Sequence, residues 1–373
     1  MSIAFLSLFS LVLCQVAQAK EPASAVDIPY EAYTLDNGLK IVLHVDRSDP
    51  IVALTTLVHV GSSREETGKT GFAHFFEHMS FNDSENVPRG SNRKLIEELG
   101  GRRNGGTSND YTIYYEVVPA DALEKLLWID SDRLGYMINT VTEGALENEK
   151  QVVKNEKRQR TDNAPYGHTR VVIAENLYPK DHPYSWPVIG SLADLQSASL
   201  EDVKTFYAQW YSPNNATLVI AGDFDVDKTK VLIENYFGEI PAGPKTTAPK
   251  PRAVQLEKEI RLMHEDTFAK LPELRLTLPT VPLYHPDSYA LSALSDLLTD
   301  GKRAPLYQEV VETGLAPSVF AYQSSKEMAG TFTVGARANK DIDLDQVRAA
   351  IDKGLKRFTE EGFDDRDLAR IKA

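Results

Sequence analysis

His74-Phe75-Phe76-Glu77-His78 is the stretch on which the reading of this chain turns. Gly71 precedes it as an opening for a helix, and on a helix residues four apart share a face. His74 and His78 then present two imidazoles side by side. Glu77 stands three residues after His74 and one before His78, beside the same spot without being needed as a ligand. Zinc lowers the pKa of water it holds to about 7, and a neighbouring carboxylate can take the proton. Two imidazoles and one carboxylate in this order therefore suit the hydrolysis of an amide. The plain alternative is a pair of ordinary helix histidines.

A catalytic zinc takes three protein ligands and keeps a position open. The one cysteine, Cys14, lies in a segment expected to be removed, so thiolate ligands and disulfides are excluded from the mature chain. His168 and His182 do not fall in helical stretches aimed at such a site. The stretch Glu143–Arg160 reads as a long helix, and its Glu149 and Glu156 are seven residues apart. That is nearly two turns, which puts them on one face about 10 Å apart along the axis. Only one can reach the metal, while the other could brace a ligand histidine. Spacing does not choose between them, and a helix this charged could turn both to solvent.

Outward from this stretch, Asp36-Asn37-Gly38 lies between Tyr33-Thr34-Leu35 and Ile41-Val42-Leu43 and predicts a hairpin, since Asn-Gly accepts positive φ. Strands are expected at 51–60, 111–118 and 216–221, and helices at 93–99, 122–138 and 228–236. Pro241-Ala242-Gly243-Pro244 through Pro249-Lys250-Pro251 cannot form regular structure and marks a boundary at 240–252. It separates an expected zinc-binding domain, 28–242, from a second domain, 253–373. Beyond it, strands are expected at 260–263, 273–278, 319–323 and 331–336, and helices at 288–298, 305–312 and 344–359. A helix opening near Asp365 meets the chain end uncapped, so the second domain is expected to be truncated.

The 373 residues leave room for two domains, and 42% hydrophobic with 25% charged residues is ordinary for a globular protein. A net charge of −13 argues against a nucleic-acid binder and reads most simply as solubility. Residues 1–19 differ from the rest. Ile3 to Val16 is almost wholly apolar, too short for a stable membrane span, and Ala17-Gln18-Ala19 is a small-x-small cleavage pattern. The segment reads as a secretory signal cut before Lys20, which implies export to the periplasm or beyond. The bulky Leu13 before Cys14 fits a lipidation site poorly.

His74-x-x-Glu77-His78 is the inverted zincin order. Around it, in sequence, come Gly61-Ser62-Ser63-Arg64-Glu65, Gly100-Gly101-Arg102-Arg103-Asn104, Thr107-Ser108 and Tyr111-Thr112. Then follow Glu149-Lys150-Gln151-Val152-Val153-Lys154-Asn155-Glu156, His182-Pro183-Tyr184, Ile189-Gly190, Tyr211-Ser212-Pro213-Asn214-Asn215-Ala216 and Gly222-Asp223. Over roughly residues 30–370 the chain resembles the pitrilysin/insulinase family of zinc metallopeptidases, which includes mitochondrial processing peptidases. The resemblance implies an α+β fold of two similar α/β sandwich domains, each a mostly antiparallel sheet covered by helices, together half of a clam-shell. It implies one zinc ion on His74, His78 and Glu156, with Glu77 as general base. It also implies that Glu149 supports the site and that Asn104 contacts substrate backbone.

The same resemblance exposes a departure. The family's second half-site supplies an arginine and a tyrosine that stabilise the oxyanion, and here Val311 and Pro317 stand in those positions. Neither side chain can donate a hydrogen bond. A second half, fused downstream or separate, is therefore expected to supply the pair. The expected activity is an endopeptidase acting on peptides or unfolded segments. The competing expectation is a non-catalytic structural or recognition subunit of the same fold.

Overall fold

The computed structural model describes residues 27–88 and 90–372. The expected signal segment, its cleavage before Lys20 and Cys14 lie outside these residues. Among the described residues, six strands form the first sheet: β1 (Glu31–Thr34), β2 (Lys40–Val45), β3 (Ile51–Val58), β4 (Arg102–Thr107), β5 (Thr112–Pro119) and β6 (Ala216–Gly222). Their order is β1-β2-β6-β3-β5-β4, antiparallel except for the β2–β6 pair. Along β3 the buried residues are Val52, Leu54, Thr56 and Val58, and along β5 Thr112, Tyr114, Glu116 and Val118. A period of two gives the sheet one covered face.

The described helices that accompany this sheet are α1 (Phe72–Met79), α2 (Ser91–Glu98), α3 (Leu123–Tyr136), α4 (Glu143–Lys157), α5 (Thr169–Leu177), α6 (Leu192–Ser197), α7 (Leu200–Trp210) and α8 (Val226–Phe237). Phe72, Phe76, Leu126, Leu127, Val203 and Ile233 from four of them share one core with Leu54 and Ile220 of the sheet. The Asn-Gly turn joins β1 to β2 as expected, but the positive φ falls on Gly38. Asn37 serves in a different way. Its side-chain amide donates to the carbonyls of Phe237 (2.7 Å) and Ile240 (3.0 Å), fastening the turn to the end of α8.

Residues 241–272 hold no helix or strand. The strand expected at 260–263 is therefore corrected to an irregular segment. Ile260, Leu262 and Met263 are exposed, and no described strand offers them a ladder. The second sheet follows with β7 (Glu273–Thr280), β8 (Val319–Ser325) and β9 (Gly330–Arg337), antiparallel in the order β7-β9-β8. With it come α9 (Pro286–Thr299), α10 (Leu344–Glu361), α11 (Asp365–Lys372) and a π turn at Tyr307–Val311. Leu298, Leu306, Val310, Val334, Val347 and Ile351 form its core.

A small cluster of Leu177, Tyr178 and Tyr184 with Met328 and Ala329 joins the two parts. The Tyr184 hydroxyl donates to Asp110 Oδ1 (2.7 Å) and accepts from the Met328 N–H (3.0 Å). Asp110 Oδ2 accepts from the Glu327 N–H (3.0 Å), and Arg64 pairs with the Glu327 carboxylate at 2.8 Å. The turn between β8 and β9 is thereby pinned to the turn between β4 and β5. Among the described residues no helix is long and apolar enough to cross a membrane.

Candidate metal centre

Helix α1 has two faces set by spacing. Phe72, Phe75, Phe76 and Met79, at i, i+3, i+4 and i+7, are buried. Phe76 packs against the rings of Phe206 (5.3 Å between centroids) and Tyr211 (5.2 Å). His74, Glu77 and His78 occupy the other face and are only partly buried. The start of the helix is fixed with care. Gly71 has φ +93, and its N–H and that of Ala73 both donate to the buried carboxylate of Glu65, each at 2.9 Å. Burial pushes Glu65 up to about 8 against the pull of those two donors. Thr70 donates through its N–H (3.0 Å) and hydroxyl (2.6 Å) to Asp194, and Gly190 approaches so closely that a Cβ there would meet Gly71 Cα at 2.4 Å.

Helix α4 lies against α1 and turns both glutamates inward. One ligand atom from each of His74, His78 and Glu156 falls within 4.8 Å of the others. Glu156 Oε2 lies 2.8 Å from His78 Nε2 and 3.6 Å from His74 Nε2. Neither approach has hydrogen-bond alignment, and this buried oxygen has no hydrogen-bond partner, nor has the buried Nδ1 of His74. Two ring nitrogens and a carboxylate oxygen that converge without bonding one another fit a shared cation better than a hydrogen-bond network. Electrostatics agree. Burial and the neighbouring His78 lower His74 to about 4. Burial also acts to lower His78, but Glu149 and Glu156 outweigh it and hold that ring at about 9. The carboxylates of Glu77, Glu149 and Glu156 outnumber the charged His78 and the Arg160 guanidinium beside Glu156, which leaves negative charge for a cation to balance.

Glu149 is buried, with Oε1 3.1 Å from His78 Nδ1 and Oε2 accepting from Asn82 (2.9 Å). When Nδ1–H donates to that carboxylate, Nε2 keeps its lone pair for a metal. Glu77 Oε2 accepts from the Thr107 hydroxyl at 2.6 Å, and burial raises the Glu77 carboxyl while that bond lowers it. Thr107 ends β4, whose Asn104 is exposed three residues earlier. Val311 is half-buried in the π turn and Pro317 is exposed. Sequence alone gives no role to Thr107, Asn82 or Glu65. Asn82 lies four residues after His78 but beyond the end of α1, so helical spacing does not reach it.

Residues 40–179 match the family model "Insulinase (Peptidase family M16)", and residues 197–373 match "Peptidase M16 inactive domain". Among curated relatives, the zinc protease PqqE of Helicobacter pylori is 29% identical over 348 residues, covering 92% of this chain and 78% of that protein. A solved protease structure from Helicobacter pylori aligns with TM-score 0.85 at 29% identity, over 92% of this chain and 83% of that one. The periplasmic protease PqqL of Escherichia coli aligns with TM-score 0.75 at 23% identity, over 94% of this chain but only 40% of its own length.

Proposed function

The chain belongs to the insulinase family, peptidase family M16, with the fold of one half of its clam-shell, and on that premise we propose that it is a zinc-dependent endopeptidase. The observation that carries the reading is the convergence of His74, His78 and Glu156 with Glu77 beside them. Those three residues would hold one zinc ion per chain. Zinc, when bound, supplies a water of lowered pKa and polarises the substrate carbonyl. Glu77 stands where it would accept a proton from the attacking water and return it to the departing amine. Thr107 fixes the carboxylate from one side, and partial burial raises its proton affinity above the usual carboxylate value. Glu149 orients His78.

Strand β4 pairs only with β5 in the described sheet, so its outer backbone edge is open. An extended peptide can add to such an edge as a further strand. Asn104 would then contact substrate backbone from the edge, and Thr107 brings the same edge to Glu77. This favours peptides or unfolded segments over folded proteins.

Val311 and Pro317 supply no side-chain donor for a developing oxyanion. The match of residues 197–373 to the inactive-domain model accords with that. A second half of similar fold completes the site, and the match to less than half of PqqL supports a fused arrangement as one way of supplying it. Export to the periplasm or beyond is proposed from residues 1–19 and from the periplasmic description of PqqL.

Glu77→Gln in the zinc-loaded, complete two-half assembly is expected to keep the metal and to lower peptide hydrolysis by about 10²–10⁴-fold, the usual share of a general base. Zinc analysis alongside a fluorogenic peptide assay checks both. The inactive-domain match also gives weight to a second reading, a non-catalytic subunit of this fold. That reading requires no zinc-dependent cleavage even when the partner half is present, and any such cleavage abolished by Glu77→Gln rejects it.

A further inference from the structure

Helix α4 does not simply stop after its last metal-facing residue. It ends at Lys157 and widens into a π turn over Arg158–Asp162, closed by the Asn163 N–H donating to the Arg158 carbonyl (2.8 Å). Lys157 braces the turn through Asp162 at 2.6 Å. Single π turns in helices are frequent at functional sites. This one carries Arg160, whose guanidinium reaches back one turn to Glu156 Oε1 at 2.7 Å. The two oxygens of Glu156 are thus in different circumstances: Oε1 is held by a cation, while Oε2 is buried, unbonded and directed at the imidazole nitrogens.

We infer that Arg160 is a positioning residue of the metal centre, which by holding Oε1 of Glu156 presents Oε2 as a single-atom ligand. The inference rests on the metallopeptidase reading above. It gives Glu156 the kind of brace that Glu149 gives His78. Stability does not account for the pair, because Arg160 is 78% exposed and such pairs contribute little. Charge does not account for it either: a guanidinium next to a dication repels it. Charge alone therefore predicts that removing Arg160 tightens zinc binding, whereas positioning predicts that removal weakens it. The sign of the effect separates the two.

The test is zinc affinity of the full chain, measured by competition with a chromophoric chelator, for wild type, Arg160→Ala, Arg160→Lys, Glu156→Ala and the double variant Glu156→Ala with Arg160→Ala. Loss of an outer partner of a ligand costs about 10–100-fold in affinity. Arg160→Ala is expected to weaken zinc binding about tenfold or more with the metal-free melting temperature unchanged. Arg160→Lys should recover part of the loss, since a lysine keeps one charged donor within reach. In the Glu156→Ala background the arginine should no longer matter, because it acts through Glu156. Unchanged or tighter binding in Arg160→Ala, or an equal loss in both backgrounds, overturns the inference alone. A wild-type chain that takes up no zinc overturns the metallopeptidase reading and this inference with it.

Discussion

Glu149 divides its oxygens between His78 and Asn82, and each donor depends on it. Glu149→Ala removes both partners at once and frees the His78 ring to rotate or change tautomer. Zinc affinity is expected to fall about 10–100-fold, read by chelator competition, and an affinity equal to wild type would remove Glu149 from the centre. At this scale the sequence carries a good deal. The four-residue spacing puts His74 and His78 on one face, and the structure has them there. Spacing does not rank Glu149 against Glu156, because two turns of helix place both inward and their distance from α1 depends on how α4 is docked. The tie between Thr107 and Glu77 is beyond local reading, since it arises only where the end of one strand passes a helix 30 residues away.

Elements are legible where their own pattern suffices and obscure where neighbours decide. Strands β3 and β5 alternate and can be read directly. Strand β4 is Arg102-Arg103-Asn104-Gly105-Gly106-Thr107, with no apolar residue, and is a strand because β5 pairs with it. Helix α7 lies outside the elements expected from periodicity, although Ser199 and Asp202 form a full capping box ahead of it. The close contact of Gly71 and Gly190 yields a prediction about α1. Gly190 has φ +72, and its Cβ would strike the Gly71 backbone. Left-handed strain of about 1–2 kcal/mol and overpacking of about 1–3 kcal/mol add in Gly190→Ala, which should lower the urea midpoint with little change in slope. Gly144, on α4, has nothing nearer than 3.9 Å, so Gly144→Ala should act in the opposite direction by about 0.5–1 kcal/mol. Equal effects of the two alanines would contradict the close-approach explanation.

At the scale of the molecule, His182-Pro183-Tyr184 acquires a reason it lacked as a motif. His182 is fully buried and stacks on Tyr178, and Tyr184 ties Asp110 of the first sheet's turn to Met328 of the second's. Tyr184→Phe leaves the buried Met328 N–H without its acceptor, while Asp110 Oδ1 keeps the longer bond from the Ser63 hydroxyl (3.2 Å). A cost of about 1–3 kcal/mol is expected in denaturant unfolding. If the two parts unfold separately and neither midpoint moves, the seam is not a shared support. The irregular stretch at residues 241–251 can be foreseen from its prolines, but its continuation through 260–263 cannot, and neither can this seam, because it joins residues more than 140 positions apart.

The restraints on α1 come from both directions along the chain: Glu65 stands just before it, while the Thr70–Asp194 bond spans 124 residues. A ribosome or an export channel delivers the chain from its N-terminus, so the two histidines emerge long before Glu156 and longer still before Gly190 and Asp194. A growing chain thus has no framework to aim its imidazoles until roughly its first half has been delivered. The order of synthesis itself withholds the assembled His74, His78 and Glu156 cluster from unfinished copies.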